Sequence, residues 1–213
     1  MEIAVLSFPD MTAMDAMGPY EVLSRLPEAR LRFVAAKKGP VTTDTGMLTF
    51  QAEASIEEIQ AADVLVVPGG PASAVGAVMQ HQPTLDWISK IHQSSRYTVS
   101  VCTGSWILGA AGILKGKRAG CHWLGIDALE QFGAEPCSDR VVVDGKIWTA
   151  GGVTSGIDMA LAFAAEVAGA DFAQVLQLAL QYDPKPPFKG GTPESAPQHI
   201  VQLARDNAAA VLG

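Results

Sequence analysis

The stretch that says most about the architecture reads Tyr97-Thr98-Val99-Ser100-Val101-Cys102-Thr103-Gly104-Ser105. Its first five residues are typical of a buried β-strand, and the run Trp106-Ile107-Leu108-Gly109-Ala110-Ala111 that follows is typical of a helix. A strand that turns into a helix at a cysteine holds the sulfur at the bend, close to the positive end of the helix dipole. We therefore expect Cys102 to be a nucleophile with a lowered pKa; the structural alternative is a small buried hydrophobic residue.

Strand-like and helical runs alternate on both sides of this stretch. The predicted strands lie at 2–8, 31–36, 63–67 and 97–101, and two hairpins are predicted at 43–50 and 141–150, with turns at Thr45-Gly46 and Asp144-Gly145. The predicted helices lie at 15–25, 72–79, 84–93, 154–168, 172–181 and 196–212. This alternation predicts an α/β fold, a three-layer sandwich with a mostly parallel sheet and helices on both faces. A chain of 213 residues without a long linker is expected to form a single domain over residues 1–213.

Composition and charge narrow the possible partners and cofactors. The formal net charge of −7 disfavours nucleic acid and anionic membrane surfaces as partners. The start of the chain has no basic segment before an apolar one, and no apolar run reaches the roughly 18–20 residues of a membrane span, so we expect a cytoplasmic protein. The 3 cysteines and 4 histidines show neither a disulfide framework nor metal-ligand spacing, so we expect no metal site.

Four loops carry the chemically useful residues. Ligands of parallel α/β sheets bind at the carboxyl ends of the strands, where these loops are expected to converge. The four loops contain Asp15 with Gly18-Pro19, Pro68-Gly69-Gly70-Pro71, Cys102-Thr103, and residues 151–158, which read Gly-Gly-Val-Thr-Ser-Gly-Ile-Asp. His122 lies between the third and the fourth loop.

Most of these residues also have a purely structural interpretation. Asp15 taken alone fits a helix N-cap better than a catalytic acid, and His122 fits a structural histidine. Gly69-Gly70 fits a plain turn, which can still offer backbone N–H groups to an anion. We interpret Thr154 and Asp158 as caps and first-turn residues of their helix, and Cys121 and Cys137 as structural cysteines.

The residues around the cysteine exclude several familiar nucleophile arrangements. Ser100 stands where the G-x-S-x-G elbow of hydrolases has its first glycine. Thr103 follows Cys102 where a cysteine protease or glutamine amidotransferase would need a histidine nearby, and no H-x-E pair follows later. A cysteine without a histidine partner indicates chemistry in which a carboxyl group shares a hydrogen bond with the sulfur and passes its proton to the substrate.

The motifs resemble the ThiJ/PfpI superfamily and, within it, the isonitrile hydratases. The similarity covers nearly the whole chain, and its most specific parts are the Cys-Thr-Gly elbow and the C-terminal tail. The matching segments are Phe8-Pro9, Asp15-x-x-Gly18-Pro19, Val67-Pro68-Gly69-Gly70, Ser100-Val101-Cys102-Thr103-Gly104-Ser105, His122-Trp123, residues 151–158, and Gln181-Tyr182-x-Pro184-x-Pro186-Pro187-Phe188.

This resemblance implies a flavodoxin-like homodimer without a cofactor. It implies that Cys102 is the nucleophile and Asp15 its acidic partner, and that the reaction adds water to an isocyanide through a covalent Cys102 thioimidate, giving an N-substituted formamide. The substrate or oxyanion pocket would be bordered by Thr103, Gly69, Gly70, His122 and Met17. Met17 stands where we expect a small polar residue such as threonine, which leaves the reaction class better supported than the substrate.

Two other functions remain open at this stage. One is a glyoxalase or deglycase acting on small α-oxo aldehydes, which other members of the superfamily show, usually with a glutamate beside the cysteine. The other is a non-enzymatic redox or ligand sensor, because an accessible cysteine of low pKa oxidises easily.

Overall fold

A seven-stranded sheet lies at the centre of the computed structural model, which describes residues 1–208. The strands of the whole structure are β1 (Glu2–Leu6), β2 (Arg30–Ala35), β3 (Gly39–Thr42), β4 (Thr49–Ala52), β5 (Ala54–Ser55), β6 (Val64–Val67), β7 (Tyr97–Val101), β8 (Arg118–Ala119), β9 (Glu135–Pro136), β10 (Val141–Asp144) and β11 (Ile147–Ala150). In the main sheet the order is β10-β11-β7-β6-β1-β2-β5. All neighbours are parallel except β10 and β11, which form an antiparallel hairpin.

Helices cover this sheet as predicted. They are α1 (Ala13–Leu23), α2 (Ala72–Gln80), α3 (Gln82–Ser94), α4 (Gly104–Ala110), α5 (Ser155–Ala168), α6 (Ala170–Ala179) and α7 (Gln198–Asp206), with a 3-10 helix over Ile126–Phe132. Helices α1, α5 and α6 pack together, as do α2, α3 and α4. The expected α/β fold, a flavodoxin-like sandwich with a mostly parallel sheet, is therefore confirmed.

The central strands are apolar because both of their faces are buried. Residues Val64, Leu65, Val66 and Val67 of β6 are fully buried, as expected for a parallel strand between two helical layers. At the carboxyl ends of β11, β7, β6 and β1, which are consecutive in the sheet, the chain enters the four loops that carry the candidate residues. The fold thus brings to one edge of the sheet residues that are far apart in sequence.

Some predicted boundaries differ from the observed ones. The predicted hairpin at 43–50 is longer in the structure, since β3 and β4 pair at Gly39–Thr42 and Thr49–Ala52 and residues 43–48 form the loop. The helix predicted at 196–212 extends over Gln198–Asp206, and its predicted end lies outside the described residues. Within residues 1–208, no helix combines the length and the apolar character that crossing a membrane requires.

Candidate active site

The bend after β7 is an unusual piece of backbone. Cys102 has a positive φ of 58°, a conformation that costs a residue with a side chain about 1–2 kcal/mol. Its N–H donates to the carbonyl oxygens of Ala150 (3.1 Å) and Gly151 (2.9 Å), which hold the bend against β11. Gly104 lets the new helix pass close to β6, because a Cβ there would lie 2.2 Å from the carbonyl oxygen of Val67.

Thr103 joins the bend to the neighbouring glycine turn. Its hydroxyl donates to the carbonyl oxygen of Gly70 (2.7 Å) and accepts from the N–H of Gly70 (2.9 Å). Gly69 is needed at this junction, since a Cβ there would lie 2.5 Å from Thr103 Oγ1. Thr103 therefore has a second role beside its expected place at the pocket, which is to fix the position of the turn relative to Cys102.

The glycine turn binds a residue of the protein itself. The N–H of Gly69 donates to Asp15 Oδ2 (3.0 Å), and the N–H of Gly70 is engaged by Thr103. Both N–H groups that we expected to be available to a substrate anion are thus occupied. The turn instead orients the carboxyl group of Asp15, so its contribution to the site is the placement of the acid.

Asp15 carries a fully buried carboxyl group and is not the N-cap of α1. Thr12 occupies the N-cap position of α1, and the Asp15 side chain is 0% exposed. Its Oδ1 lacks a well-aligned hydrogen-bond partner among the described residues, although the Cys102 thiol is near enough to favour the charged carboxylate. Interpreting Asp15 as a cap was wrong, because its carboxyl group is directed to the turn and the sulfur.

Burial dominates the acid–base properties of this pair. It raises the pKa of Asp15 from 3.8 to about 7, against the opposing effect of the Gly69 N–H. It also raises the pKa of the Cys102 thiol, and nearby Asp15 and Cys121 add to that increase. The lowered cysteine pKa that we expected from the bend is wrong for the free protein, because Cys102 is only 6% exposed and its thiolate loses more hydration than the helix end restores.

Two backbone N–H groups nevertheless favour the thiolate. They belong to Thr103, in the bend itself, and to Val153, in the loop between β11 and α5. Among residues 1–208, the ionisable groups that shift the pKa of Cys102 are Asp15 and Cys121, and no histidine is one of them. The arrangement is suited to passing one proton between a carboxyl group and a sulfur, with backbone donors ready for negative charge on the sulfur.

Val153 is a site residue that the sequence does not reveal. Its contribution is a backbone N–H group, which any residue other than proline supplies, so the side chain gives no signal. The only hint is the position of the glycine-rich loop at the carboxyl end of β11.

His122 and Met17 stand at the margin of this arrangement. His122 is 9% exposed and packs against Gly152, where a Cβ would lie 2.7 Å from its Cδ2. Burial lowers its pKa, and its Nδ1 accepts from the N–H of Leu124 (3.3 Å), so the neutral ring carries its proton on Nε2. Met17 follows Asp15 by two positions on α1, a spacing at which two side chains leave a helix in different directions. Their place in a substrate pocket stays a prediction.

The other candidate residues have structural contacts. Thr154 occupies the N-cap position of α5 and Asp158 lies in its first turn, as the sequence predicts, but no side-chain cap forms and both side chains bind Arg140. Cys121 is buried, which raises the pKa of its thiol to about 12. Cys137 is half-buried and lies between Arg118 and Asp139.

Comparison with known proteins agrees with the geometry. The model of the DJ-1/PfpI family matches residues 1–166. An isonitrile hydratase from Pseudomonas putida is 46% identical over 209 residues, covering 98% of this chain and 90% of that protein. The crystal structure of a ThiJ/PfpI family protein from Pseudomonas syringae superposes with a TM-score of 0.93 at 38% identity, covering 98% of this chain and 86% of that one.

A more distant relative carries a different name. The deglycase PfpI of Pyrococcus furiosus is 31% identical over 152 residues, covering 68% of this chain and 86% of that protein. The resemblance inferred from the sequence motifs is confirmed by these matches together. The chain belongs to the DJ-1/PfpI family.

Proposed function

We propose that the protein is an isonitrile hydratase, which adds water to an isonitrile (isocyanide) and releases an N-substituted formamide. The observation that carries this proposal is the pairing of Cys102 with the buried carboxyl group of Asp15. The 46% identity to the Pseudomonas putida isonitrile hydratase along nearly the whole chain supports the same reaction.

The first step forms a covalent bond to the substrate. The sulfur of Cys102 attacks the terminal carbon of the isonitrile while the proton held by the pair is delivered from Asp15 to that carbon. The product is a thioimidate, in which the former isonitrile carbon carries one hydrogen, a double bond to nitrogen and a single bond to sulfur. The N–H groups of Thr103 and Val153 favour the sulfur in its charged form before the attack.

The second step returns the enzyme to its starting state. Asp15, now a carboxylate, accepts a proton from water as the water oxygen adds to the thioimidate carbon. The nitrogen takes up the second proton of that water, the carbon–sulfur bond breaks to release the Cys102 thiolate, and the formamide leaves. Thiol, carboxyl group and water balance the reaction without any redox change, so it needs no further co-reactant. A pKa near 7 suits Asp15 to act first as an acid and then as a base.

Turnover of a simple isonitrile tests this proposal. We expect the reduced wild-type protein to convert p-nitrophenyl isocyanide to the formamide, followed by absorbance and identified by mass spectrometry. Methylglyoxal serves as the comparison substrate. Lactate formation from methylglyoxal without hydration of several alkyl and aryl isonitriles would contradict the proposal and favour the glyoxalase or deglycase alternative.

The pH dependence of turnover follows from the ionisation of the Asp15–Cys102 pair. Below about pH 7 both Asp15 and the Cys102 thiol are protonated, so the pair holds two protons and no thiolate is available. As the pH rises through about 7 one proton is lost, and the active form with one shared proton appears. We therefore expect kcat/KM to rise with pH, with an apparent pKa near 7, when measured from about pH 5 to about pH 9. A profile that is flat, or that falls over this range, would contradict the assignment of Asp15.

Two further expectations belong with this function. We propose that the protein is a homodimer and that it acts in the cytoplasm on a small isonitrile. Exposed apolar side chains at Phe188 (82%), Leu203 and Ile200 on the C-terminal segment offer surface that an association of two chains could bury.

A further inference from the structure

The loop between β11 and α5 determines where the Val153 N–H points. Gly151, the first residue of this loop, accepts from the Cys102 N–H at 2.9 Å and donates to the carbonyl oxygen of Arg140 at 3.0 Å. The loop is therefore held on one side by the backbone of the bend and on the other by the residue that precedes β10. Any shift of residues 151–154 changes the distance between the Val153 N–H and the sulfur.

Arg140 also holds the far end of the same loop through its side chain. One guanidinium nitrogen donates to Thr154 Oγ1 (3.2 Å), and another donates to Asp158 Oδ2 in the first turn of α5. The second carboxylate oxygen of Asp158 accepts from the hydroxyl of Tyr182 (3.2 Å). Two different nitrogens of the planar guanidinium group thus connect the hairpin to both the loop and α5 in a fixed geometry that the single nitrogen of an ammonium group does not reproduce.

Ordinary structural roles do not account for this cluster. The side chains of Arg140 and Asp158 are 52% and 32% exposed, and exposed ion pairs contribute little to stability. Thr154 occupies the N-cap position of α5 without making a side-chain cap. What the cluster does fix is the position of residues 151–154 relative to Cys102.

We propose that Arg140 is a positioning residue, which holds the loop of residues 151–154 in place against the bend that carries Cys102. For turnover this inference rests on the proposed function, because a thiolate is both the attacking and the leaving group of that reaction. The effect on the cysteine itself is independent of any substrate.

The test measures the reactivity of Cys102 in the absence of isonitrile. The variants are Arg140→Met, Arg140→Lys, Thr154→Val and the double variant Arg140→Met/Thr154→Val. Arg25→Met, which removes an arginine from an exposed pair with Glu21, is the matched control. The alkylation of Cys102 by iodoacetamide is followed against pH by peptide mass spectrometry, which separates Cys102 from Cys121 and Cys137.

We expect Arg140→Met to raise the apparent pKa of Cys102 and to slow its alkylation at neutral pH by roughly tenfold, as for the loss of one hydrogen bond to a charged group. Thr154→Val, which changes no charge, shifts the profile in the same direction. The double variant adds little to Arg140→Met, because both substitutions release the same loop. Arg140→Lys keeps the charge but loses the planar guanidinium group, so its alkylation profile is expected to fall between those of the wild type and Arg140→Met. The profile of Arg25→Met is expected to match that of the wild type.

Unchanged profiles in folded Arg140→Met and Thr154→Val proteins would overturn the proposal. An effect of Arg140→Met that Arg140→Lys cancels and Thr154→Val lacks would also overturn it, since that pattern indicates charge alone. If Arg140→Met does not fold, Thr154→Val decides the question by itself. If the alkylation profiles shift but the wild-type protein does not hydrate isonitriles, the proposed function is wrong and the positioning role stands. If the wild-type protein hydrates isonitriles but the profiles do not shift, the proposed function stands and the positioning role is wrong.

Discussion

The Cys102→Ala variant is expected to lose isonitrile hydration by at least roughly a thousandfold, since removal of a covalent nucleophile leaves only the binding and electrostatic parts of the site. Cys102→Ser is expected to be equally inactive, because the hydroxyl group is far less acidic than the thiol. The measurement is the rate of formamide production by purified variants with matched circular dichroism spectra. Cys102 is nearly buried and its substitution by alanine removes a single heavy atom, so both variants are expected to fold.

Cys137→Ser is the control for this comparison. Cys137 is half-buried and lies beside Arg118 and Asp139, away from the Asp15–Cys102 pair, so its loss is expected to leave turnover unchanged. Substantial hydration by Cys102→Ala, or inactivation by Cys137→Ser alone, would contradict the assignment of the nucleophile.

The Asp15→Asn variant is expected to lose activity and to gain stability. An amide cannot deliver or accept the proton, so we expect kcat to fall by roughly 10²- to 10⁴-fold. The side-chain carbonyl oxygen of the new amide can still accept from the Gly69 N–H, so the local geometry is kept. The measurement pairs steady-state kinetics with thermal unfolding of the same samples.

The gain in stability follows from the pKa of the buried acid. The Asp15 carboxyl has a pKa of about 7 in the folded protein against an ordinary value of 3.8, so between these values the folded state binds more protons than the unfolded state. The contribution of Asp15 to the stability of the wild type therefore falls as the pH rises from about 4 to about 7, by about 1.4 kcal/mol for each unit of the difference, which amounts to a few kcal/mol. Asp15→Asn removes this loss, and its advantage in the free energy of unfolding is fully present above about pH 7.

An exposed carboxylate provides the control for this pH effect. Asp86→Asn on α3 makes the same chemical change at a solvent-exposed position and is expected to give no comparable gain in stability. An Asp15→Asn protein that is less stable than the wild type at about pH 8, or that loses no activity, would contradict the assignment of Asp15 as a buried acid whose burial destabilises the fold. A substitution that raises stability and lowers activity is typical of a residue that serves the function at a cost in stability.

The fold could be predicted from local patterns because its signals are local. The strand Tyr97–Val101 has the bounds that the sequence predicts, since an apolar β-branched run ends sharply at a residue followed shortly by a glycine. The buried β6 is equally clear from its unbroken apolar sequence. The extent of the 39–52 hairpin is not clear from the sequence, because no local signal marks where its two strands begin and end.

The candidate site was only partly predictable. Cys102 and Thr103 follow from the bend, but Asp15 taken alone pointed to a helix cap, and only the resemblance to a family made it the acid. Val153 gave no signal beyond the position of its glycine-rich loop, because it acts through its backbone. Arg140 gave none, because it is a partly exposed polar residue whose partners come from separate elements. The direction of the cysteine pKa was mistaken because the bend predicts the helix end but not the degree of burial.

The central claim is that Cys102 forms a covalent bond to the isonitrile carbon on the way to the formamide. Rapid acid-quench mass spectrometry of the protein during a single turnover tests it most directly. We expect Cys102 to gain the mass of one isonitrile before the formamide accumulates, and Cys102→Ala to show no such adduct. Formamide that appears at the full rate while the Cys102 peptide stays unmodified at every quench time, or an adduct on another residue, would contradict it.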